Sequence, residues 1–179
     1  MSILIRPVGH GGALRLQSRK TAMHNTQIDI PEQTRQAMVG LLQANLVDAL
    51  DLTAQTKQAH WNVKGKSFIG LHELFDTFHN EARGYVDDIA ERITALGGQA
   101  EGTVEVVAKT TRLPSYPVDI TSGKDHLTAL SNSVAVFGKN VRAAIDEADE
   151  AGDAVTADLF TGIAKAVDKS LWMLDAHLD

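Results

Sequence analysis

At 179 residues and a net charge of −6, the chain suits one domain of ordinary size, long enough to bury most of its apolar surface. It contains no cysteine, which excludes disulfides, thiolate metal sites and cysteine nucleophiles. No apolar run approaches the roughly 20 residues of a membrane span, and Met1–Lys20 lacks the apolar stretch of a secretory signal, so a cytoplasmic protein without a membrane partner is expected.

Charge is uneven along the chain. Before Asp29 there are Arg6, Arg15, Arg19 and Lys20 and no carboxylate, a net of +4; the remainder carries 13 basic and 23 acidic residues, a net of −10. We read residues 1–30 as a flexible basic arm and 31–179 as the folded domain. Such an arm suits polyphosphate, but an acidic body repels DNA unless assembly multiplies the arms. A plain disordered tail is the simpler reading, and the Arg-bearing, acid-free start also shares features with an organelle transit peptide.

Four segments carry helical periodicity, with no useful strand-like alternation. The first runs from about Pro31 to His60, with Pro31 in the first turn and Met38, Leu42, Leu46, Ala49 and Thr53 along one face. Gly65 then supplies a stop and Ser67 a new N-cap. The second, about Ser67 to Leu96, has a core stripe of Phe68, Leu71, Phe75, Phe78, Ala82, Tyr85, Ile89, Ile93 and Leu96, ending at Gly97 and Gly98. The third opens at Thr121 or Ser122, where Ser122 and Asp125 approximate a capping box, and continues through Leu127, Leu130, Val134, Phe137, Val141, Ile145 and Ala148. Gly152 and Asp153 make a tight hairpin to the fourth, which carries Phe160, Ile163, Val167, Leu171, Leu174 and Leu178.

The connection from Gly97 to Ile120 holds Pro114 and Pro117 and one short helical stretch around Val104–Lys109. About 24 extended residues can cross the roughly 45 Å length of a helix of this size. That predicts parallel second and third helices, hence an all-α, ferritin-like four-helix bundle with a long crossover carrying a short extra helix.

The second helix carries the most informative residues. His72 and Asp76 stand one turn apart, as do Asp87 and Glu91, but the pairs are separated by roughly 22 Å of helix. One ion cannot touch both from a single chain. If two copies cross antiparallel near Ala82 and Gly84, His72 and Asp76 of one face Asp87 and Glu91 of the other, and the two-fold axis generates the site twice. His60, just across the Gly65 turn, completes a set of two imidazoles and three carboxylates suited to Fe(II), Zn(II) or Mn(II). Taken singly, each pair is more simply a solvated helical pair. No Glu-x-x-His occurs, so the usual intrabundle ferritin pattern is missing. His79, three residues beyond Asp76, reads as a solvated or supporting residue, with an accessory metal ligand as the alternative, while His10, His24, His126 and His177 have no partnered spacing and are assigned to the surface. The run Asp146, Glu147, Asp149, Glu150, Asp153 and Asp158 reads as a solvated helix corner.

Lys57, Gln58, Ala59, His60, Trp61 and Asn62, then Gly65, Phe68, Leu71, His72, Glu73, Phe75 and Asp76, and later Asp87, Ile89, Ala90, Glu91, Arg92, Leu96, Gly97 and Gly98 closely resemble the Dps family of miniferritins. The likeness extends through Leu113, Ser115, Tyr116, Pro117, Asp119 and Ile120 to Asp168, Lys169, Leu171 and Trp172. It implies a hollow homododecamer of antiparallel dimers. It also implies ferroxidase sites at two-fold interfaces that oxidise Fe(II), preferentially with hydrogen peroxide, and store ferric mineral inside. The implied ligands are His60, His72 and Asp76 of one subunit with Asp87 and Glu91 of its partner. Trp61 would stand beside the site as a sink for stray oxidising equivalents, and part of the acidic run would line an iron-entry pore. DNA binding divides the family; with one Lys and several apolar residues the arm either reaches DNA, giving a nucleoid-associated particle in which oxidation is secondary, or folds back. A shell holding structural zinc is a third reading.

Overall fold

The computed structural model describes residues 23–178. Residues 1–22, which include all four cations of the expected arm, lie outside the described residues. The elements are α1 (Glu32–Asn62), α2 (Phe68–Ala95), α3 (Val104–Thr110), α4 (Gly123–Glu150) and α5 (Ala154–Asp175). They form the all-helical, ferritin-like bundle that periodicity and turn residues predict, with α3 on the long crossover. None of the described helices is long and apolar enough to cross a membrane.

Two tethers establish the directions of the helices. The Lys64 N–H, between α1 and α2, donates to the Thr121 carbonyl just before α4 (2.9 Å). At the far end, the Arg92 guanidinium near the end of α2 donates to both oxygens of Asp153, between α4 and α5 (2.8 and 2.9 Å). α2 and α4 therefore start at one end and finish at the other, parallel as expected. α1 packs on α2 and α4, and α5 on α4 and α2, around a core that includes Leu42, Leu46, Phe75, Ile89, Leu130, Phe137 and Phe160.

The crossover is fixed by a buried carboxylate rather than by apolar packing, since α3 buries none of its residues. Asp48 on α1 has no exposed surface. It accepts from the Arg112 backbone N–H and Nε and from Asn140 Nδ2, each at 2.9 Å. Thr111 adds a 2.6 Å bond to Asp51, and Gln55 joins the Pro114 carbonyl to the Ser133 hydroxyl. Residues 23–30, the last part of the expected arm, run against the end of α2. Gly97 makes this possible: its φ of +89° is left-handed, its carbonyl accepts from His24 N at 2.7 Å, and a Cβ there would stand 2.4 Å from the His24 oxygen. Arg35 clamps the same corner, donating to the Ile30 and Leu96 carbonyls.

Several local expectations are corrected. Pro31 is the N-cap of α1 rather than part of its first turn, and Ser67 makes no side-chain cap. The turn before α2 instead closes through backbone, with Phe68 N donating to Gly65 O at 3.1 Å. Phe68 is 39% exposed and leaves the core stripe, whereas Ala82 is buried within the chain's own core and so cannot lie on an outer crossing surface. Gly84 is exposed, with open space around it. α5 stops at Asp175, and Leu178 packs on the core from beyond the helix. Ser122 does cap α4, its Oγ accepting from Asp125 N at 3.1 Å.

Two polar residues assigned to the surface are buried. His126 is 1% exposed; the Tyr116 hydroxyl pairs with its Nδ1 at 2.6 Å, while its Nε2 has no hydrogen-bond partner among the described residues. Asp153 is also 1% exposed. Burial alone would raise its pKa, but hydrogen bonds from Thr156 and from Arg92, together with the Arg92 charge, hold it below the usual carboxylate range. A carboxyl depressed in the fold contributes stability that is fully present above the unfolded pKa of about 3.9 and disappears as pH falls through the lower folded value. Asp153→Asn should therefore lower unfolding stability at neutral pH by about 3 kcal/mol, the cost of leaving the partly buried Arg92 without its counter-ion. Denaturant titrations of wild type and variant should converge as pH drops below about 4; an equal gap at every pH would contradict this account.

Candidate metal centre

The last turn of α1 and the first turns of α2 lie side by side because the hairpin at Gly65, with φ +117°, folds them back on each other. His60 and His72 meet there in a reciprocal arrangement. His60 Nδ1 donates to the His72 carbonyl and His72 Nδ1 donates to the His60 carbonyl, both at 2.8 Å. The rings stack with centroids 3.7 Å apart and planes 23° from parallel. A carbonyl accepts only, so each Nδ1 must carry hydrogen, and in the neutral ring each Nε2 keeps its lone pair. This is the tautomer and orientation a metal-ligating histidine requires. Phe68 walls the site, its ring 5.1 Å from that of His72.

Asp76 is on the same rim, its Oδ1 4.0 Å from His60 Nδ1. Lys57, one turn before His60, donates to that same oxygen. The Lys57 hydrogen bond is the main reason the Asp76 carboxyl sits below its ordinary pKa; partial desolvation opposes it, and the Lys57, His60 and His79 charges reinforce it. Asp76 is thus an ionised carboxylate already paired with a cation. His79 donates Nδ1 to the Thr53 carbonyl at 3.0 Å, a half-buried tie between α2 and α1 that leaves its Nε2 uncommitted.

Asp87 and Glu91 are exposed near the other end of α2. Asp87 borders a groove with Leu50, Thr53, His79 and Arg83, and Glu91 a separate groove with Asp88, Val155 and Leu159. The chain thus gathers His60, His72 and Asp76 on one rim and keeps Asp87 and Glu91 apart from them. Among the described residues, no three His, Asp or Glu side chains of the single chain are arranged to hold a metal. The intrabundle position offers no alternative. The small space among α1, α2, α4 and α5 is lined by Leu52, Phe78, Ala82, Val134 and Val167, with Glu81 as its one carboxylate, and Glu81 already accepts from the Ser170 hydroxyl at 2.9 Å.

The ferritin-like domain family model matches residues 39–179. A DNA protection during starvation protein from Agrobacterium fabrum is 46% identical over 155 residues, covering 87% of this chain and 96% of the relative. The chain belongs to the Dps family of ferritin-like proteins. Among solved Dps structures, a tetragonal form from Mycobacterium smegmatis superposes with a TM-score of 0.83 at 32% identity, covering 87% of this chain and 94% of that one. A Dps protein from Vibrio cholerae O1, described as a member of a broad superfamily of ferritin-like diiron-carboxylate proteins, gives a TM-score of 0.82 at 25% identity, covering 88% and 99%.

Three features of this Dps chain depend on contacts that residue spacing does not show. Lys57 was visible only as part of the family signature, although its place one turn before His60 puts an ammonium on the same rim. Asp153 standing three residues before Thr156 signals a helix cap, which the Thr156 N–H makes at 3.1 Å, but nothing local pairs Asp153 with Arg92. Nothing local pairs Tyr116 with His126, which tertiary packing brings together.

Replacing Lys57 by Met removes the ammonium while keeping an unbranched side chain. The Asp76 carboxyl should then titrate closer to the ordinary aspartate value of about 3.9, followed by carboxyl-carbon NMR against pH. An Asp76 titration unmoved by the substitution would show that Lys57 does not hold it.

Proposed function

We propose that the protein oxidises Fe(II) at sites shared between two antiparallel copies of the chain, uses hydrogen peroxide in preference to dioxygen, and stores the ferric product within a hollow dodecamer. The observation that carries this reading is the reciprocal His60–His72 pairing, which aims two Nε2 lone pairs from one rim while Asp76 adds a carboxylate. Asp87 and Glu91 lie roughly 22 Å along the same helix, so they complete a ligand set only across a two-fold axis. Such an axis makes two sites per dimer. Gly84 on the exposed face of α2 leaves room for a second α2 where Ala82 does not.

Fe(II) is the substrate. Imidazole nitrogens and carboxylates suit it, and would also accept Zn(II) or Mn(II) as substitutes. Two Fe(II) ions deliver two electrons to one peroxide, which with two protons becomes two waters, and no hydroxyl radical is released. The carboxylates offset the added charge of the ferric products, and an incoming cation takes the place of the Lys57 ammonium at Asp76. The relative's description as a diiron-carboxylate protein supports this chemistry.

A second reading is DNA protection in the cytoplasm with nucleoid association, favoured by the names of the relatives and by the four N-terminal cations. The body is acidic, so this reading depends on the arms. A chain lacking residues 1–22 keeps the His24–Gly97 contact and should lose whatever DNA affinity the full chain has, an affinity that falls steeply with added salt. Gel shifts at several salt concentrations decide it; undiminished shifts by the truncated protein would place DNA binding on the body.

The oxidase reading is tested by His72→Ala with Asp76→Ala. The variant should assemble as wild type does, by light scattering, yet lose peroxide-driven Fe(II) oxidation by more than the roughly 10- to 100-fold that losing an outer partner of a metal ligand costs. Unchanged kinetics in an assembled variant would overturn the site.

A further inference from the structure

The chain has two tyrosines, and the fold treats them differently. The Tyr85 hydroxyl is buried and finds no hydrogen-bond partner among the described residues. The Tyr116 hydroxyl lies 2.6 Å from Nδ1 of His126. Burial raises the Tyr116 pKa, so the phenol keeps its proton. Burial lowers that of His126, outweighing the opposing effects of the Asn62 backbone, the Asp125 charge and the Ile120 backbone. The ring is therefore neutral. The Asn62 and Ile120 backbone carbonyls face it, although Nε2 makes no hydrogen bond among the described residues; they favour the hydrogen on Nε2, and the phenol then donates its proton into the Nδ1 lone pair.

A phenol bonded to a neutral imidazole can lose an electron and a proton together. The oxidised phenol is a strong acid, and here a base stands at hydrogen-bond distance to take its proton. Tyr85 has no such base. The pair is also close to the candidate centre. His126 meets Phe75, the neighbour of Asp76, edge-on with centroids 6.4 Å apart, and the Asn62 backbone, two residues beyond His60, acts on its ring.

We infer that Tyr116, with His126 as its proton acceptor, is a redox relay that lends one electron to peroxide reduction and recovers it from a second Fe(II). The relay rests on the oxidase function proposed above. With one Fe(II) at the site, the O–O bond of peroxide breaks on receiving one electron from Fe(II) and one from Tyr116. Two protons from solvent complete two waters, and the Tyr116 proton passes to His126 Nδ1. The products are Fe(III), a neutral tyrosyl radical and an imidazolium. A second Fe(II) returns the electron, the proton moves back, and the stoichiometry remains two Fe(II) per peroxide. A half-filled site thereby reduces peroxide by two electrons without releasing hydroxyl radical.

Pinning the crossover to α4 would require only a hydrogen-bond acceptor at His126, whereas the relay requires a base. His126→Gln separates the two roles, because an amide oxygen accepts a hydrogen bond but takes a proton poorly. The assembled protein, containing ring-deuterated or ordinary tyrosine, is mixed with fewer Fe(II) than sites and then peroxide, freeze-quenched and read by EPR. In a parallel iron-free arm, photogenerated tris(bipyridine)ruthenium(III) serves as the one-electron oxidant. A tyrosyl signal that narrows on deuteration is expected in both arms, absent in Tyr116→Phe, unchanged in Tyr85→Phe, and formed roughly 100-fold more slowly in His126→Gln, the lower range of what a positioned proton acceptor contributes. A signal that survives Tyr116→Phe, one unaffected by His126→Gln, or no tyrosyl signal in either arm would overturn the inference. So would Fe(II) oxidation proceeding normally with a Tyr116 signal in the photochemical arm alone. A wild type that oxidises no Fe(II) at all is a distinct result, which overturns the proposed function and with it the relay's place there.

Discussion

The reciprocal hydrogen bonds between the His60 and His72 imidazoles and each other's carbonyls are the interaction on which the candidate centre depends. They consume both Nδ1 groups, bring the rings into stacking contact, and leave the two Nε2 atoms free for a metal. The same bonds join the end of α1 to the start of α2, so the contact that orients the two imidazoles also closes the hairpin. A histidine whose free nitrogen is set by backbone keeps its orientation before any ion arrives, which lowers the reorganisation needed on binding.

The other half of the expected ligand set lies on the same helix but is held by different means. Arg92 follows Glu91 directly, and its guanidinium is anchored by Asp153 and by Thr156 Oγ. The Arg35 clamp on the Leu96 carbonyl secures the next turn. α2 is thus tied at both ends, to α1 at His72 and to the α4–α5 corner at Arg92. A helix held in this way behaves as a ruler. It presents Asp87 and Glu91 at a nearly constant offset from His72 and Asp76, and the offset that bars a one-chain centre is what two antiparallel chains would use. A buried ion pair is weak evidence of stability, but it is well suited to fixing a register.

Helix periodicity, the glycine turns and the long crossover were legible because each is written in local residues: the stripe on α2, the left-handed positions at Gly65, Gly97 and Gly152, and the prolines between α3 and α4. The grouping of His60, His72 and Asp76 followed from one turn of helix and one hairpin. Residues whose environment depends on distant chain were not legible. His126 shows no partnered spacing, yet a tyrosine on the crossover makes it a buried polar residue. Asp153 sits in an acidic run, yet an arginine on α2 selects it from its neighbours. Ala82 fits an intermolecular crossing by register, but its side of the helix turns inward while Gly84 faces out. Asp48 satisfies Arg112 and Asn140 across three segments that no periodicity links.

The central claim is that the oxidising site is built by two chains. The most direct measurement is complementation between a chain carrying His72→Ala and Asp76→Ala and a chain carrying Asp87→Ala and Glu91→Ala. Each alone forms interfaces with no complete site. Co-expressed, a mixed dimer unites the intact Asp87 and Glu91 of the first with the intact His72 and Asp76 of the second, so one of its two sites is whole by isologous symmetry. Purified mixed assemblies, with heterodimer content verified by mass spectrometry, should regain Fe(II) oxidation in proportion to that content, up to about half of wild type. Mixed assemblies of verified content that stay inactive would contradict the shared site.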